Sequence, residues 1–148
     1  MALTDEQLNS VNVFFLLAFM DETLARSATL KFATEFERRD PQELSFGAFF
    51  VLRSKKIWEG LQHRSRTVGL LRDRVWSRTN DLDLSAWREF KKQASPEELL
   101  TTLWRDVLGL PEDEIARGLN TTIGTLRHRL SDAHRHLGQA LAPGGSYG

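Results

Sequence analysis

Apolar residues recur along this chain at helical rather than strand spacing, and the breaks between the runs divide it into a series of helices. Thr4 and Gln7 have the spacing of a capping box, which predicts a helix from Asp5 through the aromatic stretch to about Met20. From Asp21 to about Arg38, Leu24, Ala28, Phe32 and Phe36 recur every fourth residue and predict a second helix, stopped by Asp40-Pro41. A third, from about Leu44 to His63, carries Phe46, Phe50, Ile57, Trp58 and Leu61 on its apolar side. Arg53, Lys55, Lys56, Arg64 and Arg66 load its other sides and its end. Residues 65–83 hold charges, Gly69, Thr79-Asn80 and weak periodicity, and read as an irregular linker, after which Leu84 to Lys92 has the pattern of a short helix.

The C-terminal third is patterned more sharply. Ser95-Pro96-Glu97-Glu98 supplies an N-cap, a proline at the first helical position and an acid at the third. Leu100, Leu103, Trp104, Val107 and Leu108 then share one face of the predicted helix, and Gly109 suits the left-handed residue that closes it. Pro111 opens a short helix to about Leu119. Its acidic first turn, Glu112-Asp113-Glu114, complements the helix dipole, and Ile115, Ala116 and Leu119 are expected to face inward. Asn120 tolerates the left-handed turn that must follow, and Thr122 caps a last helix from about Ile123. In that helix Leu126, Leu130, Ala133 and Leu137 lie within about 60° of one another. With Arg127 at zero, His128, Ser131, Asp132 and Arg135 fall at roughly 100°, 40°, 140° and 80°, opposite the apolar seam. A helix held this way across a shorter one can enter a major groove and offer polar side chains to bases and phosphates.

No strand-like alternation or repeat interrupts this pattern, so the fold expected is all-α, a short helical N-terminal part followed by a C-terminal helix-turn-helix bundle. The divisions expected are a helical part at 1–66, a linker at 67–94, the helix-turn-helix at 95–142 and a flexible tail at 143–148.

Composition narrows the chemistry. The chain has 148 residues, 41% apolar and 27% charged, which is the make-up of a soluble globular protein. With no cysteine there are no disulfides, thiolate metal sites or cysteine nucleophiles, and a reducing cytoplasm is the expected compartment. The longest apolar run, Val13 to Met20, is far below the roughly 20 residues that span a bilayer, and acids rather than bases precede it, so no membrane contact or secretory signal is expected. The net charge is zero, but residues 1–50 carry −4, residues 51–92 carry +6 and residues 93–148 carry −2. Any contact with nucleic acid must therefore be regional, and Arg53, Lys55, Lys56, Arg64 and Arg66 are its candidates in the basic middle. The aromatic residues follow helical spacing and are assigned to the core. His134 and His136 lie about 200° apart on one helix, so no metal is expected there. There is no nucleophile signature and no glycine loop for phosphate, so neither an enzyme nor a cofactor is expected.

One stretch resembles a known family. Gly109-Leu110-Pro111-Glu112-Asp113-Glu114-Ile115-Ala116, then Leu119, then Ile123-Gly124-Thr125-Leu126-Arg127-His128-Arg129-Leu130, resembles region 4 of bacterial RNA polymerase sigma factors, particularly the extracytoplasmic-function group, and the likeness extends over residues 95–140. Residues 12–66 resemble a shortened region 2, with Phe49 to Arg66 about where the family keeps a basic promoter helix. The resemblance implies a transcription protein whose N-terminal helices bind the RNA polymerase core. The short helix and its predecessor would dock the polymerase flap, and Thr122, Ile123, Arg127, His128, Ser131, Asp132 and Arg135 would meet promoter DNA. Asp132 and His134 stand where the family usually has arginine, leaving the outward face at +1. That departure and the short N-terminal part motivate an alternative, a sigma mimic or adaptor that binds an anti-sigma factor or polymerase without initiating. A second alternative is a helix-turn-helix regulator that dimerises through its aromatic N-terminal helices.

Overall fold

A computed structural model describes residues 2–40, 44–62 and 84–141, so the predicted linker at 65–83, Arg64, Arg66 and the tail at 143–148 lie outside the described residues. Seven α-helices and no strands occur among them. They are α1 (Asp5–Phe19), α2 (Glu22–Arg38), α3 (Phe46–Leu61), α4 (Leu84–Gln93), α5 (Pro96–Thr102), α6 (Glu112–Leu119) and α7 (Ile123–Leu141). None is long and apolar enough to cross a membrane.

Local chemistry accounts for most boundaries. The Thr4 hydroxyl accepts from Gln7 N at 3.1 Å while Gln7 Oε1 accepts from Thr4 N, closing the capping box on α1. Asp21 Oδ1 accepts from Thr23 N and Leu24 N and starts α2, and a second capping box joins Ser95 and Glu98 at the start of α5. Gly109 and Asn120 take the expected positive φ, 70° and 54°. Met20 also has a positive φ, 52°, which nothing in its residue type favours; it is the C-cap of α1, its side chain is buried and its N–H donates to Leu16 O.

The helices bury one continuous core that runs from Val11 of α1 to Ala133 of α7. α1 packs on α2, α2 on α3, α3 on α6, and α7 lies against α4, α5 and α6. Phe14 meets Phe15 and Phe50 edge to face, Phe50 meets Phe32, and Phe32 meets Phe49. These rings occupy the interior of the chain, with Phe46 half-buried at the margin. The aromatic faces that the dimeric reading assigned to a subunit interface are thus spent within one chain.

Trp104 joins the C-terminal helices to this cluster. Its indole is buried, stacks on Phe14 with ring centroids 6.0 Å apart, and donates through Nε1 to Ser54 Oγ at 3.0 Å. It sits in a π-helical turn, Leu103–Val107, that continues α5, in which Leu108 N donates to Leu103 O at 3.0 Å. The extra residue in that turn shifts the helical phase. Val107, which α-helical spacing placed on the apolar face, is consequently 42% exposed, while Leu108 and Leu110 still pack on the core. α4 adds a second tie: Trp87 Nε1 donates to Leu17 O of α1 at 2.8 Å, and Phe90 is fully buried.

α3 and α6 approach closely because a glycine on each helix removes a side chain. A Cβ on Gly118 would fall 2.7 Å from both the Ala48 carbonyl oxygen and Val51 Cβ. A Cβ on Gly47 would fall 2.8 Å from the Glu114 carboxyl carbon, so this carboxylate lies over the first turn of α3, the positive end of its dipole.

These contacts set three expectations for thermal or denaturant unfolding. Gly118→Ala destabilises by about 1–3 kcal/mol through overpacking, whereas Gly60→Ala, where a Cβ meets nothing within 4 Å, stabilises by about 0.5–1 kcal/mol. Ser54→Ala costs about 1–3 kcal/mol by stranding the buried Trp104 N–H, and a double-mutant cycle with Trp104→Phe shows that the loss belongs to the pair. Burial lowers the pKa of Lys91 below 10.5. The folded state therefore binds fewer protons than the unfolded one in the interval below 10.5, so stability rises with pH across it, and Lys91→Met removes that slope.

Candidate nucleic-acid interface

α6, the left-handed turn at Asn120 and α7 follow one another as a short helix, a tight turn and a longer helix. In α6, Ile115 and Ala116 are buried and Leu119 is half-buried. The Thr122 hydroxyl accepts from Thr125 N at 3.1 Å and donates to the Thr125 hydroxyl, so it caps α7. Leu126, Leu130 and Ala133 are buried, and Leu137 packs at the edge of the core. With that seam held inward, the opposite face of α7 must point to solvent. Thr122, Ile123, Arg127, His128, Ser131 and Arg135 are all exposed, and Asp132 is half-buried among them.

What the spacing could not show is how the cations of α7 are paired. Glu112 Oε1, from the first turn of α6, accepts from Arg127 Nε at 3.2 Å and lies 3.2 Å from its Nη2. The other oxygen of Glu112 stands 3.8 Å from Arg105 Nε. Asp132 takes Arg135 on one oxygen and has His128 Nε2 3.7 Å from the other. His134 Nε2 lies 2.6 Å from Asp106 Oδ2 of the π-helical turn. His136 Nδ1 lies 3.0 Å from Glu98 Oε2, at ion-pair distance but without hydrogen-bond geometry.

The acidic first turn of α6 therefore does more than complement its own dipole. Glu114 reaches α3, while Glu112 brackets Arg105 and Arg127. The sequence signals that +1 face; in the fold Arg127 and Arg135 each stand beside a carboxylate, Glu112 and Asp132, and Glu112 is shared with Arg105. The pairs within α7 were legible from their spacing of three and four residues. Glu112 and Asp106 were not, because they are 15 and 28 residues away along the chain.

The basic strip of α3 does not form one row. Arg53 lies over the Phe49 ring at 6.0 Å from its centroid, Lys55 turns toward a cleft beside α5, and Lys56 is exposed. Arg39, at the end of α2, covers the Phe36 ring at 4.2 Å. Arg129 turns away from the outward face of α7 and lines the same cleft as Lys55.

No protein-family model matches the chain, and no curated protein matches it in sequence. Among solved structures, the chain is similar to the sigma factor RpoE of Bartonella quintana, determined in complex with the anti-sigma factor NepR. The two are 17% identical and superpose with a TM-score of 0.65 over 90% of this chain and 91% of that one. At that identity the likeness concerns the fold: this chain has a sigma-factor-like, all-α architecture over most of its length.

Proposed function

We propose that this chain is a non-enzymatic, sigma-factor-like transcription protein whose working contacts are with proteins, an anti-sigma factor or the RNA polymerase core, rather than with promoter bases. The observation that carries this reading is the pairing of the outward cations of α7 with carboxylates. Binding to duplex DNA draws much of its strength from cations that displace counterions from phosphates. Here Arg127 is held by Glu112, and Arg135 and His128 share Asp132. A phosphate approaching this face meets a carboxylate beside each of these groups. The comparison supports the same direction, since the similar RpoE chain is one that an anti-sigma factor binds. α6 already covers α3 with its glycine face, so a flap contact would use what α6 leaves open.

A second reading, promoter recognition through Arg127, His128, Ser131 and Arg135, is favoured by one fact. These side chains are exposed, and exposed ion pairs contribute only about 0–1 kcal/mol each, which a phosphate contact can replace.

The two readings separate in an anisotropy titration with promoter-length duplexes at graded salt. The wild-type chain is expected to bind weakly and without sequence preference, and Glu112→Gln combined with Asp132→Asn to tighten binding about tenfold with a steeper salt dependence. Tight, sequence-selective binding by the wild type would overturn the first reading. In parallel, tagged protein drawn from its native lysate should carry polymerase subunits or a small anti-sigma protein, and recovery of DNA alone would count against it.

A further inference from the structure

We draw no further inference here: the strongest candidate, the side-chain cluster in which Arg39 at the end of α2 and Arg53 of α3 lie about the Phe49 ring, carries nothing because each guanidinium already rests on an aromatic ring and nothing in the structure brings the two onto one ligand.

Discussion

The stack of Trp104 on Phe14, fastened by the hydrogen bond from its indole to Ser54, is the contact on which the arrangement of this chain depends. An indole is large and mostly apolar, but its N–H must find an acceptor when buried. Ser54 supplies that acceptor from α3 while Phe14 supplies the stacking surface from α1, so one side chain of the C-terminal helices is answered by two N-terminal ones. The π-helical turn at Leu103–Val107 delivers the indole to that position and turns Val107 outward in doing so.

Once Trp104 is seated, the placement of α6 and α7 follows. α6 lies on α3 at a separation only glycine permits, with Gly118 against the Ala48 carbonyl and Glu114 over the first turn of α3. α7 then has α4, α5 and α6 behind it, and its remaining face is left to water. The same packing brings Glu112 and Asp106 alongside α7, where Glu112 pairs with Arg127 and Asp106 meets His134.

Much of this was legible in the sequence because the deciding interactions are local. The Thr4 and Ser95 capping boxes, the Asp21 cap, and the left-handed Gly109 and Asn120 each involve residues within a few positions of one another. The apolar seam of α7 likewise repeats with the period of a single helix. Val107 shows where such reading stops: its exposure follows from a change of helical pitch that no residue type in Leu103–Val107 announces. Met20 is a second case, since its residue type does not favour the left-handed conformation it takes.

By itself the sequence determined the helices, their caps and the polar outward face of α7, because each rests on hydrogen bonds and side-chain periodicity within about four residues. Only the tertiary structure decided that the two parts share one core and that Arg127 is answered by Glu112. It also decided that Lys55 and Arg129 meet at one cleft. Those outcomes depend on which helix faces pack, and shape complementarity such as that between Gly118 and Val51 acts between positions far apart in the chain.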